Sequence, residues 1–128
     1  MTETAKDRLR RANEYIQEAE LIRREKIGNL HVLANLYHAM MNCLFALLDV
    51  RDIGKLTHAD VIEEFEKQYM QSGVFSTEFS DALHFTYNIT HECDCDHMKH
   101  PEDEDIDRLF PVAGRFARAV EEYLKKNQ

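Results

Sequence analysis

The stretch NITHECDCDHMKHPEDEDID, residues 88–107, holds the side chains of this sequence that are best suited to chemistry. It contains two cysteines, three histidines and a dense run of acids, with Lys99 as its single lysine and no arginine. Thiolates and imidazoles bind transition metals, and imidazoles also transfer protons near neutral pH. The stretch is therefore a metal site, a site of proton transfer or a solvated helix end.

A metal site is one interpretation. On a continuing helix Cys93 and His97 are four residues apart and His97 and His100 three apart, so these side chains would share one face. His91 and Cys95 form a second pair on another side. Such ligands suit zinc or a later transition metal. Because the chain has no second paired motif, we favour a plain helix end with partly exposed histidines and expect no cofactor.

The overall charge limits the partners that we expect. The chain has 24 acidic residues against 16 lysines and arginines, which gives a formal net charge of -8 at pH 7. Neutralisation of phosphates supplies most of the affinity of proteins for nucleic acids. This charge argues against DNA binding, and contact with RNA or a nucleotide is expected to be weak and local.

Length and composition predict one globular domain that spans residues 1–128. Hydrophobic residues make up 44% of the chain and charged residues 31%, which is typical of soluble proteins. The longest apolar stretch, AMMNCLFALLDV, is too short to span a bilayer, and the amino terminus lacks a signal-peptide pattern. Three cysteines form no disulfide framework. We therefore expect a cytoplasmic protein that does not contact membranes.

Apolar residues recur at intervals of three or four along most of the chain, which predicts helices throughout. Thr57 with Asp60 forms a capping pair, Ser76 is a second cap, and Pro101 suits the first turn of the last helix. Three glycine-containing or asparagine-containing breaks separate the first four helices: IGN, RDIGKL and QSGV. The predicted fold class is all-α, an antiparallel up-and-down bundle of four to five helices.

Residues 35–65, NLYHAMMNCLFALLDVRDIGKLTHADVIEEF, carry a more specific pattern. This segment resembles the second and third helices of HEPN domains, particularly the small stand-alone HEPN proteins of prokaryotes. The resemblance extends over nearly the whole chain, to the amphipathic first segment and the closing GRFARAVEEYL. The matching positions are Ala34, Tyr37, Ala39, Met40, Ala46, Leu47, Leu48, Thr57, His58, Val61, Ile62 and Phe65.

The resemblance implies a helical bundle that usually forms a homodimer. The family includes metal-independent ribonucleases, toxins paired with nucleotidyltransferase antitoxins, and inactive relatives, so the fold alone does not define the function. A homodimer, a nucleotidyltransferase-type partner protein, and RNA or a nucleotide are therefore the partners that the resemblance implies.

The resemblance also places a catalytic motif near the end of the fourth helix. Active relatives carry an arginine, a polar residue and, after a gap, a histidine, and the matching positions here are Thr90, His91 and His97. The arginine is missing. Small stand-alone relatives often carry R-x-x-x-D-Y, of which only Asp94 remains as a candidate binding residue, because Cys95 stands at the tyrosine position.

The missing arginine predicts a degenerate site. Cleavage of RNA builds negative charge on the phosphoryl oxygens, and loss of one electrostatic contact to such charge costs about 3–4 kcal/mol of transition-state stabilisation. We therefore predict a non-enzymatic, partner-binding homodimer. A ribonuclease with an arginine from the dimer mate and the metal-binding protein are the alternatives. On the last helix, Arg108, Arg115 and Arg118 are expected to line a solvated face.

Two further residues are candidates for binding. His58 follows the cap Thr57, and it either forms a hydrogen bond across the preceding loop or contacts a nucleotide. Tyr37 either stabilises the bundle core or dimer interface or stacks on a nucleotide. We favour the structural role for both residues.

The second helix predicts the dimer. It has apolar or small residues on more than one side, more than a helix packed on one face requires. A bundle this small is expected to have little room to enclose them, so a second chain should cover the surplus. We expect the segment from Thr90 to His97 to lie near the twofold interface.

Overall fold

The computed structural model describes residues 1–50, 54, 56–91 and 100–127. The described residues are 82% helical and contain five α-helices and no strand. This confirms the predicted all-α class. The helices are α1 (Glu3–Arg24), α2 (Asn29–Leu47), α3 (His58–Phe65), α4 (Thr77–His91) and α5 (Asp103–Lys126), and a π-helical turn (Glu66–Met70) follows α3 directly.

The first two helices form an antiparallel hairpin. The hydroxyl of Thr2 accepts a hydrogen bond from the backbone N–H of Ala5 and so caps α1. The same hydroxyl donates to the carboxylate of Asp49 at 2.8 Å, which places the start of α1 beside the end of α2. Lys26, directly before the predicted break at residues 27–29, adopts a left-handed conformation (φ 55°), and α2 begins immediately after Gly28.

α2 is the central helix and contacts α1, α3, α4 and α5. It is long and apolar enough to cross a membrane by length and composition, but 72% of its most apolar window is buried inside the bundle. Its neighbours thus enclose it as the core helix of the fold. The buried residues are Val32, Leu33, Leu36, Tyr37, Ala39, Met40, Met41, Asn42, Cys43, Leu44, Phe45, Ala46 and Leu47.

The burial of α2 shows that one premise of the dimer prediction was wrong. We expected the surplus apolar residues of α2 to need a second chain, yet a single chain buries them. The expectation underestimated how many helices surround α2: α1 covers most of its length, and the long helix α5 packs along it from another side. The homodimer itself stays a prediction.

A second part of the core consists of aromatic rings contributed by α3, α4, α5 and the connection between them. Phe116 stacks on Phe79 with 4.8 Å between ring centroids. It also meets the edges of Phe65 at 5.6 Å and Phe75 at 6.2 Å. These rings fix α4 against α5, so they determine where the last turn of α4 lies.

The helix starts follow the predicted caps with one exception. Thr57 and Asp60 form a reciprocal capping box at α3, and the hydroxyl of Ser76 accepts a hydrogen bond from an N–H in the first turn of α4. Pro101 was predicted to lie inside the first turn of the last helix, which is wrong. Glu102 and Asp105 form a capping box that starts α5 at Asp103, and Pro101 precedes it.

Replacing the α3 cap tests whether it stabilises the fold. Thr57→Ala removes the acceptor for the N–H of Asp60, which lies 3.1 Å away, so we expect a loss of about 1 kcal/mol in the free energy of unfolding. Thr57→Ser keeps the acceptor and should stay close to wild type. Urea denaturation measures both, and equal losses in the two variants would contradict the role of the hydroxyl.

Candidate functional site

The site is built around Tyr37, whose side chain is 1% exposed in the middle of α2. Its hydroxyl lies 2.7 Å from Nδ1 of His58, the first residue of α3. The capping box at Thr57 fixes the start of α3 and therefore the position of this histidine. The fold thus joins two candidate residues that are 21 positions apart in the sequence. Whether they serve structure or binding stays a prediction.

The last turn of α4 brings a third candidate to the same place. The ring of His91 lies 5.5 Å from that of Tyr37 and 5.8 Å from that of His58, between centroids. Tyr87, one turn earlier on α4, stacks on His91 at 4.1 Å with an interplanar angle of 13°. The Nδ1 atom of His91 is 3.1 Å from the carbonyl oxygen of Tyr87, which fixes the orientation of the imidazole.

Two more rings complete the group on the side of α1. His38 lies 5.5 Å from Tyr37, and Tyr15 of α1 lies 5.4 Å from His38, between ring centroids. We call the six rings the ring cluster: Tyr15, Tyr37, His38, His58, Tyr87 and His91. His38 and His91 are exposed to solvent, and His58 is half-buried. The ring cluster therefore extends from the core to the surface.

Thr90 stands where the resemblance expects an arginine, and its hydroxyl bonds to its own helix. It donates a hydrogen bond to the carbonyl oxygen of Thr86 at 2.8 Å, and the carbonyl oxygen of Tyr87 lies 3.2 Å from the same hydroxyl. The hydroxyl also lies 2.8 Å from Nδ1 of His91. Such back-bonding is common for threonine in helices. Thr90 therefore positions His91 and carries no charge to the ring cluster.

The environment lowers the pKa of His38 and of His58, which favours their neutral forms. Partial burial lowers the pKa of His58, and repulsion from His91 and His38 lowers it further. Desolvation by the neighbouring rings, followed by repulsion from His91, lowers the pKa of His38. Burial raises the pKa of Tyr37, so its hydroxyl stays protonated and can serve as a hydrogen-bond donor. Neutral imidazoles can accept protons.

These shifts predict how stability depends on pH. The unfolded chain, with a histidine pKa of about 6.5, binds more protons than the folded chain as the pH falls, because His38 and His58 resist protonation when folded. We expect the free energy of unfolding to be highest above about pH 7 and to decrease toward pH 5. His58→Gln should flatten this slope in urea denaturation, whereas His31→Gln, at the exposed start of α2, should not. An unchanged slope in His58→Gln would contradict the linkage.

The structure does not describe most of the remaining candidates. Cys93, Asp94, Cys95 and His97 lie outside the described residues, so both the later half of the motif and most of the metal interpretation stay untested. His100 is described and exposed. Within the described ranges, no group of three histidines, cysteines or acids is arranged to hold a metal ion.

The arginines of α5 lie away from the ring cluster, on a different surface of the bundle. Arg115 forms a two-point ion pair with Glu78, at 3.0 Å and 3.2 Å, and the guanidinium of Arg108 lies 5.0 Å from the ring centroid of Phe85. These residues line a groove of about 480 Å³ between α4 and α5. Phe85 is two residues from Tyr87 and so points to another side of α4. Arg108, Arg115 and Arg118 are exposed, as predicted.

Sequence reasoning did not find Tyr87, His38 or Tyr15 as members of the site. Tyr87 and His91 are four residues apart on one helix, a spacing that places two rings on the same face, so this pair could have been found. His38 and Tyr15 belong to different helices and carry no local signal. Their contact depends on the packing of α1 on α2.

The fold and the ring cluster define a helical-bundle protein with a tyrosine–histidine site, and comparison with known proteins adds one relative. The chain is 23% identical over 92 residues to a Methanocaldococcus jannaschii protein named "Putative toxin MJ0142". The match covers 72% of this chain and 63% of that protein, so the chain spans less than two thirds of its relative. No protein-family model matches the chain, and no solved structure matches it.

Proposed function

We propose that this chain is a HEPN-like protein of the toxin–antitoxin type that has lost catalysis and acts in the cytoplasm as a homodimeric, partner-binding module. The distant similarity to a protein named as a toxin supports the toxin–antitoxin context. The all-α bundle and the pattern from Ala34 to Phe65 support the HEPN-like assignment. A nucleotidyltransferase-type protein is the proposed partner.

We infer the loss of catalysis from one observation: no described lysine or arginine side chain bonds to the ring cluster. Within the described part of the chain, no lysine or arginine makes a hydrogen bond or ion pair with any of its rings. Arg8 contacts the cluster only indirectly: its guanidinium lies over Phe45 at 5.5 Å, and Phe45 lies 6.0 Å from His58. The Thr90 hydroxyl is bound to its own helix, so at the position of the family's arginine no described side chain supplies a positive charge to a phosphoryl group.

Incubation with a mixed pool of RNA tests this proposal. We expect no turnover by the wild-type protein. Thr90→Arg restores a cation beside His91 and could restore cleavage at a degenerate site, whereas Asn88→Arg adds the same charge to an exposed position of the same helix and should remain inactive. Robust turnover by the wild-type protein that is lost in His97→Ala would refute the inactive assignment.

A metal-independent ribonuclease is the second candidate. It is favoured by the juxtaposition of two imidazoles, His58 and His91, with the protonated hydroxyl of Tyr37, because these groups can accept and donate protons. The required arginine would come from the dimer mate. In this case the wild-type protein would cleave RNA without the Thr90→Arg change. His58→Ala would abolish that turnover.

The assembly is tested separately. Light scattering at tens of micromolar protein should give the mass of a dimer, and a monomer mass would refute the homodimer. Co-expression with a nucleotidyltransferase-type protein, followed by purification through that partner alone, should recover both proteins. Recovery of the partner without this chain would contradict the partner-binding proposal and leave the dimer result unaffected.

A further inference from the structure

Two contacts cross from α4 to α5 and mark the ends of the groove between these helices. Glu78 pairs with Arg115 at 3.0 Å, and the guanidinium of Arg108 lies 5.0 Å from the ring centroid of Phe85. The two contacts are seven residues apart on each helix, which corresponds to two helical turns, or about 10 Å. The groove therefore has room along its axis for two side chains of another helix that are one turn apart.

The floor of this groove is apolar and its rim is charged. Ala82, Leu109 and Val112 line the groove and are themselves buried, so they form its floor. Asp81 on α4 and Arg108 on α5 are exposed and form part of the two opposite rims. An apolar floor beneath a charged, exposed rim is the arrangement with which proteins bind the apolar face of an amphipathic helix.

Phe85 supplies apolar surface that the core of the protein does not fully use. It is only partly buried where it packs against the core, and it lines the groove with its remaining surface. Covering this surface together with the adjacent apolar floor removes it from water, which favours binding. The buried residues of α4 that form its core stripe are Phe79, Ala82, Leu83 and Thr86.

The charges around the groove select the kind of partner. Glu78 is paired with Arg115, and Asp105 lies 3.5 Å from Arg108, so each arginine of the rim has an acid beside it. Asp81 adds one more carboxylate. The described side chains around the groove are therefore three acids and two arginines, which leaves one negative charge. This charge favours a lysine or arginine on the partner, next to Asp81.

We propose that the groove between α4 and α5 binds an amphipathic helix of another protein, which places two apolar side chains on the floor and a lysine or arginine beside Asp81. The rim residues Asp81, Arg108 and Arg115 are exposed, so a bound segment keeps one side in solvent, as a helix with a single apolar face does. This surface goes beyond the proposed function, since a helix can dock here whether or not the chain binds a nucleotidyltransferase.

A display library of alanine-rich helical peptides tests the chemistry of the partner. In this library two positions one turn apart and their neighbouring positions vary, and binders are selected on the wild-type protein at physiological ionic strength. The selected peptides should carry two apolar residues and a lysine or arginine. A selection without enrichment, or one that enriches acidic or wholly polar peptides, would overturn the proposal.

An aromatic variant shows whether the selected peptide binds in the groove. Phe85→Ala should weaken its binding by about tenfold or more, the usual effect of truncating a central aromatic residue of an interface. Phe110→Ala is the matched control, because Phe110 is also a partly buried phenylalanine beneath a guanidinium, that of Arg23, but does not line the groove. Equal affinities of Phe85→Ala and Phe110→Ala in fluorescence anisotropy would overturn the proposal.

A charge variant tests the electrostatic part and carries the test alone if Phe85→Ala does not fold. Asp81→Asn should weaken binding of the peptide by about threefold, the effect expected for an exposed ion pair. Glu122→Gln removes an exposed carboxylate near the other end of α5 and should bind as the wild type does. Equal weakening by both variants would show attraction to the overall negative charge of the chain and would refute a contact at Asp81.

Light scattering distinguishes a partner helix from a second copy of this chain. Phe85→Ala should have the same mass as the wild-type protein. A wild-type dimer that becomes a monomer in Phe85→Ala would show that a second copy covers the groove, and the proposal would be overturned. A monomeric wild-type protein, or a nucleotidyltransferase that does not co-purify, would contradict the proposed function and leave the peptide result unchanged.

Discussion

Phe116→Ala is expected to destabilise the protein by about 3–5 kcal/mol, a large part of the total stability of a small domain. The side chain is 0% exposed, so truncation leaves a cavity that the surrounding helices can fill only in part. It also removes the stacking contact with Phe79 and the edge contacts with Phe65 and Phe75. Urea denaturation followed by circular dichroism measures the loss.

Phe110→Ala is the matched control on the same helix. Phe110 is only partly buried and packs at the margin of the core, beneath the guanidinium of Arg23 at 5.6 Å. Its loss should be clearly smaller than that of Phe116→Ala. Similar losses in the two variants would show that the aromatic contacts between α4 and α5 contribute less than their burial implies.

Tyr37→Ala should cost a similar amount, about 3–5 kcal/mol, because it removes a buried ring on which three histidines and Tyr87 pack. Tyr37→Phe separates the ring from its hydroxyl. It keeps the packing but leaves Nδ1 of His58 without its 2.7 Å partner, which should cost about 1–2 kcal/mol. The difference between the two variants measures packing apart from hydrogen bonding.

The same variants show whether the candidate site depends on this tyrosine. In Tyr37→Phe the imidazole of His58 gains rotational freedom, so its NMR signals should change more than those of His91, which keeps its contact with the carbonyl of Tyr87. A Tyr37→Phe protein as stable as the wild type, with unchanged signals from His58, would show that the hydrogen bond does not position the histidine.

The fold could be predicted because its determinants are local. The apolar spacing of α1 and the capping residues Thr57 and Ser76 act within one or two helical turns, and each appears in the structure where it was expected. The prediction for Pro101 was wrong because a capping box with Glu102 as its N-cap starts α5 at Asp103, two positions after the proline. The enclosure of α2 could not be predicted from its own sequence, since it depends on how closely α5 approaches.

The site was predictable only in part for the same reason. Tyr37, His58 and His91 were singled out one at a time, and nothing in their spacing shows that three helices bring them together. Local rules describe a residue and its neighbours within about four positions. The convergence of Tyr37 and His58 follows from the capped start of α3, and that of His91 from the aromatic packing that fixes α4.

The central position of α2 has a consequence for synthesis on the ribosome. α1 emerges first and can pair with α2 as soon as the second helix is made, which shields one side of an apolar segment without a single lysine, arginine, aspartate or glutamate. The side that α5 covers stays exposed until α5 itself leaves the exit tunnel. The nascent chain therefore presents a hydrophobic surface to chaperones for most of its translation, and a chain that ends prematurely after α4 should aggregate even though it contains the whole ring cluster.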